Sequence, residues 1–318
     1  MDDKKLLKFK MLIWSIVGIT LSLFLVFNIS GYEGNLFNYN FNSFGFHRGS
    51  NLKVVKEYKF DNAKEVKDIS TNISNGDITF NKNNEDNIKV IVKSNKDLKN
   101  KNYISVNQES NTLNIVDNGT GGKFSVFGLI KDSYIKVEVL LPQSYDKNLD
   151  ISNNVGDIEF LSDFKFDNIN LKVKTGDIDI NNKLTANKVV IDSKTGDLYI
   201  NTLTAKDSSI DNKVGDIEIE EFQGKGSMYT KVGDIYCGIE TLDGNLKVRS
   251  EVGDIDLFLN ENLNFKLDVN KGFGDIDTGL AFNNVSQTSK SFSGSFGKES
   301  DNLISVDIKT GDVEINAK

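Results

Sequence analysis

The sequence predicts an all-β fold: a repeat β-solenoid, read as a single-stranded β-helix of ~20 residues per coil, following one N-terminal transmembrane helix. Three observations predict it. First, Gly-Asp recurs nine times, at Gly76-Asp77, Gly156-Asp157, Gly176-Asp177, Gly196-Asp197, Gly215-Asp216, Gly233-Asp234, Gly253-Asp254, Gly274-Asp275 and Gly311-Asp312. From Asp157 to Asp275 the steps are 20, 20, 19, 18, 20 and 21 residues. Second, side chains alternate on both sides of each Gly-Asp, as they do in strands. Third, Met11 to Ile29 runs 19 residues without a charge.

Alternation gives each coil an inner face. Leu171, Val173 and Thr175 fall on one side, opposite Lys172 and Lys174. Leu246, Val248, Ser250 and Val252 do the same in another coil. After Gly-Asp the pattern resumes with Ile178 and Ile180. The phase slips at the motif, so Gly-Asp is read as a corner between two strands. Glycine allows the left-handed backbone a corner needs, and Asp can bond backbone there. A second turn is expected where a small residue follows an apolar one by two, as at Leu184-Thr185-Ala186, Leu203-Thr204-Ala205, Phe222-Gln223-Gly224 and Leu242-Asp243-Gly244. A period near 20 is too short for a strand-helix-strand unit of roughly 30 residues. An antiparallel β-sandwich also fits evenly spaced strands, but it does not explain one corner recurring in register.

Taken in order, residues 1–10 form a cytoplasmic tail carrying Lys4, Lys5, Lys8 and Lys10. Residues 11–29 are the membrane span: as a helix they reach ~28 Å, one hydrocarbon core. Trp14 lies near the lysine end, where an interfacial aromatic belongs. The alternative is a cleaved signal peptide, but no small-x-small site follows near Ser30. The lysines hold the N-terminus in the cytoplasm, which puts the C-terminal domain outside the cell. Residues 30–50 are an aromatic linker holding Tyr32, Phe37, Tyr39, Phe41, Phe44 and Phe46.

Residues 51–144 read as an irregular β region that caps the solenoid's N-terminal end, with strands at 88–93, 103–107, 112–116 and 134–141. Glu109-Ser110-Asn111 is a hairpin turn between two of them. The Gly-rich loop Gly119–Leu129 carries Phe124, Val126 and Phe127. Residues 145–318 are the regular repeats. The steps of 80 residues from Asp77 to Asp157 and 37 from Asp275 to Asp312 are close to four periods and two.

Composition limits the chemistry. The net charge is −8, which argues against nucleic acid as a partner. His47, in the linker, is the single histidine, so the repeats hold no Ser-His-Asp, Cys-His or imidazole-zinc site. Cys237 is the single cysteine. It stands three residues after Asp234, where other coils place Phe160, Ile180, Ile200, Ile219 and Leu257, and is therefore expected as a buried hydrophobe. The aspartates recur with the coils, which marks them as structural. No catalytic, cofactor-binding or metal-binding residue is assigned, no cofactor is expected, and the chain is read as not an enzyme.

With the apolar span, the Leu140-Leu141-Pro142 that ends a strand, and the Gly-Asp-Ile coils from Gly156–Phe160 onward, the chain resembles the DUF4097 family. That family comprises adhesin-like β-strand-repeat proteins of bacterial envelopes. The resemblance covers roughly residues 50–318. It implies a solenoid-like, membrane-tethered fold and supplies no catalytic residues. The function expected is a membrane-anchored binding, adhesin-like or scaffold module facing a wall polymer or an envelope protein. The alternatives are an envelope-stress signalling component touching a membrane sensor and, more remotely, an enzyme cleaving wall polysaccharide.

Stacked coils would bring the repeat aspartates into one column. At ~4.8 Å, neighbouring carboxylates in water repel by about 0.9 kcal/mol before salt screening. The sequence suggests a local remedy, with each Asp accepting N–H groups at its own corner. Lys174, Lys194, Lys213 and Lys231 would screen the column. A calcium ladder is disfavoured, because one Asp per corner supplies too few oxygens.

Overall fold

The computed structural model describes residues 52–95, 103–118 and 134–318. The expected span at 11–29, the linker at 30–50 and the Gly119–Leu129 loop lie outside them. Among the described residues no helix is long and apolar enough to cross a membrane. The described chain is all-β: twenty-one strands in one open sheet, with a single 3-10 turn at Ala63–Glu65.

The long strands Phe164–Thr175, Ile178–Ser193, Leu198–Val214, Ile217–Val232 and Ile235–Val252 pair in parallel, each with the strand one repeat away. This arrangement is consistent with a β-solenoid. Equivalent side chains line up in columns. Before the corner one column runs Ile151, Leu171, Ile191, Ile210, Met228 and Val248, all of them buried. After the corner another runs Ile78, Ile158, Ile178, Leu198, Ile217, Ile235 and Ile255. Each such Leu or Ile contributes ~1.5–3 kcal/mol by leaving water. A lone coil has nowhere to bury these faces, so stacking drives the fold. Cys237 sits between Ile219 and Leu257 in its column and is buried, as its position in the repeat requires.

Four local expectations are corrected. Thr175 and Val252 point outward, not inward: Val252 is 50% exposed, and the inner set passes directly from Val173 to Ile178. The residue before Gly occupies the outside of the corner, where the backbone arc leaves no room beneath it. The second turn does not break the ladder either. Ala186, Ala205 and Gly224 pair across coils inside continuous strands, and the register shifts between Ala205 and Ser208 where the strands of Ala205 and Gly224 pair. At Gly224 a Cβ would lie 1.8 Å from the carbonyl oxygen of Ala205, so that rung needs glycine.

The third correction concerns the 80-residue step. Asp68–Ile73 and Asp77–Asn83 pair in parallel with Asn148–Val155 and Ile158–Phe160, so the Asp77 coil lies one rung from the Asp157 coil, not four. The intervening chain folds back over the Asp77 coil. Thr112–Asp117 and Ile135–Pro142 pair with it in parallel, and Ile104–Glu109, Ile88–Ser94 and Lys53–Phe60 add antiparallel strands. The hairpin at Ser110-Asn111 is as expected, with Glu109 opposite Thr112 and Ser110 at φ 54°.

The fourth concerns chain order. Leu303–Thr310 pairs in parallel with Ile235–Val252 on one edge and Phe265–Phe273 on the other. Val313–Ala317 lies likewise between Ile255–Leu259 and Ile276–Thr278. The last coil in sequence is thus second to last in the stack, and the Asp275 coil is outermost. That outer coil is covered by Ser291–Phe296, antiparallel, with Phe265, Phe282, Phe292 and Phe296 packed at ring separations of 5.3–6.1 Å.

Candidate binding surface

The corner is built identically at every level. The glycine φ values run from 122° to 155°, a region that side chains avoid. A Cβ on Gly196 would lie 2.0 Å from the carbonyl oxygen of Gly176, and the other corners are equally closed. Gly N–H donates to the carbonyl one rung up, as Gly176 does to Thr195 at 3.0 Å. The aspartate carboxylate does not serve its own corner. Its Oδ1 accepts the backbone N–H of the aspartate in the next coil: Asp77 from Asp157, Asp157 from Asp177, Asp177 from Asp197, and on through Asp254 from Asp312 and Asp312 from Asp275, at 2.7–3.1 Å. The remedy for the stacked charges is therefore between coils, and a repeat cannot satisfy itself.

The expected lysine screen is not made. Among the described residues the one ion pair to the column is Lys271 with Asp275, at 3.6 Å. Lys213 turns instead to Asp211 at 2.5 Å.

A second, inner column under the corner escaped the sequence reading. Asn153 donates from Nδ2 to the carbonyls of Gly76 and Gly156 at 3.0 and 2.9 Å. Asn212 donates to Gly196 at 2.9 Å, Thr230 to Gly215 at 3.1 Å and Ser250 to Gly233 at 3.3 Å. These buried groups satisfy the glycine carbonyls that the corner turns inward. The signal was a polar residue three before Gly at an inward position.

The corner separates two outward faces. After the corner, Glu159, Asp179, Tyr199, Glu218, Tyr236, Asp256 and Glu314 share one register column. Burial against neighbouring strands pushes Asp179 up to about 6, with Asp177, Asp157, Glu159 and Asp197 adding to the shift. Asp77 is also pushed up to about 6, chiefly by burial, while the N–H of Asp157 opposes the rise. Asp177, Asp216, Glu218 and Asp256 are raised for the same first reason. Among the described residues no group of three or more His, Cys, Asp or Glu side chains is placed to hold a metal ion.

The face before the corner carries three shallow depressions. The first, of about 510 Å³, is lined by Asp68, Ser70, Asn148, Asp150, Asn168 and Asn170. Its amides form ladders: Asn148 donates to Asp68 at 2.8 Å, Asn168 to Asn148 at 2.8 Å and Asn170 to Asp150 at 2.9 Å. The second, of about 540 Å³, runs over Ser209, Lys225, Gly226, Ser227 and Gly244. The third, of about 350 Å³, lies among Arg249, Asn270, Lys271, Asp307 and Lys309. Tyr229 stands between the last two, with Lys213 5.3 Å and Arg249 5.5 Å from its ring centre. Such a face can donate and accept hydrogen bonds repeatedly at the strand spacing.

Comparisons with known proteins follow the fold. A candidate adhesin from Bacteroides fragilis is similar at 17% identity and TM-score 0.46, over 84% of this chain and 97% of that one. A candidate adhesin from Parabacteroides distasonis is similar at 15% identity and TM-score 0.46, over 84% and 98%. A candidate lipid-binding protein from the same species is similar at 14% identity and TM-score 0.42, over 84% and 97%. No curated protein matches the chain. The family model described as Toastrack DUF4097 matches residues 66–316, from the first stacked coil to the last strand, and the chain belongs to that family.

Proposed function

We propose that this protein is a non-enzymatic binding module of the cell envelope, with residues 11–29 as its membrane anchor and a single-stranded β-helix displayed outside the cell. The observation that carries the reading is the set of three polar depressions on one face, lined by Asn148, Asn168 and Asn170 in the first, Ser209 and Ser227 in the second, and Asn270 with Arg249 and Lys309 in the third. A rigid ladder of donors and acceptors suits an extended polar polymer, which can bond at several rungs at once. We take the ligand to be a wall polymer, with a polar segment of an envelope protein as the other candidate. The uncharged segment at 11–29 behind four lysines supports the tether.

Retention of the full-length protein on purified cell-wall sacculi tests this. Asn148→Ala with Asn170→Ala should weaken retention about tenfold, while Asp179→Asn on the opposite face should leave it unchanged. Equal retention of both variants and the parent would refute a binding role for this face. Protease shaving of intact cells should remove the repeat domain.

A further inference from the structure

The residue before eight of the nine corner glycines forms an outer ridge along the stack: Val155, Thr175, Thr195, Val214, Val232, Val252, Thr310 and Phe273, in neighbouring coils, with Asn75 before the ninth. Val155, Val214, Val232 and Val252 are 45–50% exposed, and Phe273 is 78% exposed. A solvated corner has no need of apolar tips, and three consecutive valines 214, 232 and 252 are a contiguous apolar strip.

Charges flank the ridge in one order over four consecutive coils. One position before it stand Lys174, Lys194, Lys213 and Lys231 in four consecutive coils and Lys309 further along, while Asn154, Glu251 and Gly272 hold that position at the Val155, Val252 and Phe273 levels. Lys213 is paired with Asp211 and Lys309 with Glu251. Two positions after it stands the aspartate column. Lys174, Lys194 and Lys231 have no ion-pair partner among the described residues. In Asp177, Asp197, Asp216 and Asp234 the neighbouring coil engages Oδ1. Four consecutive levels therefore present lysine, a tip residue, glycine and aspartate in one direction across the ridge, with threonine at the tip in the first two and valine in the next two.

That order is self-complementary for only one symmetry. A two-fold axis parallel to the stack sets ridge on ridge, valine on its own copy at the same level, and reverses the direction of the second copy, so lysine meets aspartate. A perpendicular axis would set lysine against lysine. We propose that two copies of this chain associate side by side and parallel along the corner ridge, in an isologous contact.

Eight corners at ~4.8 Å span ~34 Å. With a width near ~10 Å the contact covers roughly 350 Å² per copy, well below the ~800 Å² of a standard interface. The pair is thus transient, and charge alignment fixes its geometry more than its strength. The inference goes beyond the binding reading and does not depend on it.

Single-cysteine crosslinking of the full chain in isolated membranes tests it. Val214→Cys, Val232→Cys and Val252→Cys would each be oxidised mildly, with the native Cys237 left in its buried place and the unsubstituted chain as control. Lys188→Cys on the polar face reports random collision. All three ridge variants should give disulfide-linked dimers, because each level meets itself. Lys188→Cys and the unsubstituted chain should give none. Adding Lys194→Glu and Lys231→Glu to Val232→Cys should cut the dimer at least fivefold. No dimer from the ridge variants, dimer at just one level, or equal dimer from Lys188→Cys would each overturn the proposal.

Discussion

The carboxylate of Asp197 accepts the backbone N–H of Asp216 at 2.9 Å, across a gap of 19 residues. Asp197→Ala would leave that N–H without its charged acceptor, a loss of about 1–3 kcal/mol. Asp197→Asn keeps an acceptor oxygen and removes one charge from the column, so it should cost less than half as much. Calcium and chelator should leave the melting temperature unchanged, because Oδ1 is engaged at every rung. Chemical denaturation of the three proteins decides this, and a stabilising effect of calcium would defeat it.

Gly196→Ala should be among the most damaging single substitutions. Its Cβ would enter the Gly176 carbonyl, and its φ of 137° is strained for alanine. We expect a loss above about 3 kcal/mol in urea unfolding, against less than about 0.5 for the exposed Asn201→Ala.

The inner polar column predicts opposite signs at neighbouring rungs. Asn212 serves the Gly196 carbonyl, so Asn212→Ala should destabilise by about 1–3 kcal/mol. Ser193 is buried, and its Oγ has no hydrogen-bond partner. Ser193→Ala should be neutral or stabilising by up to about 1 kcal/mol. Equal losses at both sites would contradict this reading of the column.

Acid should tighten the acidic face. Asp179 titrates at about 6 in the folded chain, against an ordinary value of 3.8. Between those values the folded state holds more protons than the unfolded, so this contribution to stability grows as pH falls from 7 to 4 and is lost as pH rises through 6. Asp179→Asn should flatten that dependence and raise stability at pH 7 by about 1 kcal/mol, allowing for solvent screening. Denaturation midpoints across that range are the measurement, and an unaltered slope would count against it.

The C-terminal coil should behave as interior. Leu303–Thr310 has a strand on both edges, so its amides should exchange as slowly as those of Ile235–Val252. Fast exchange, as in a frayed terminus, would disagree. Ile304 is fully buried, and Ile304→Ala should cost about 2–5 kcal/mol although it lies 14 residues from the end.

Much of this architecture was legible before any coordinates. The recurrence of Gly-Asp, the alternation at Leu171, Val173, Ile178 and Ile180, and the place of Cys237 among aliphatic equivalents all follow from period and phase, which local sterics and burial dictate. The proposed binding face was not legible. Asn148, Asn170 and Ser227 carry no pattern of their own and become a surface only when parallel pairing sets their strands side by side.

Sequence alone determined the repeat, the strands and the glycine at each corner, because those depend on a residue and its near neighbours. Tertiary structure decided which rungs touch. Asp77 stacks on Asp157 across 80 residues, and Asp312 slips between Asp254 and Asp275. Backbone N–H and C=O groups are the same in every coil, so the ladder itself accepts any coil as neighbour. The order is chosen by what must cover the ends: the antiparallel strands before Pro142 close one, and the phenylalanine cluster on the Asp275 coil closes the other, which leaves the last coil an inner slot.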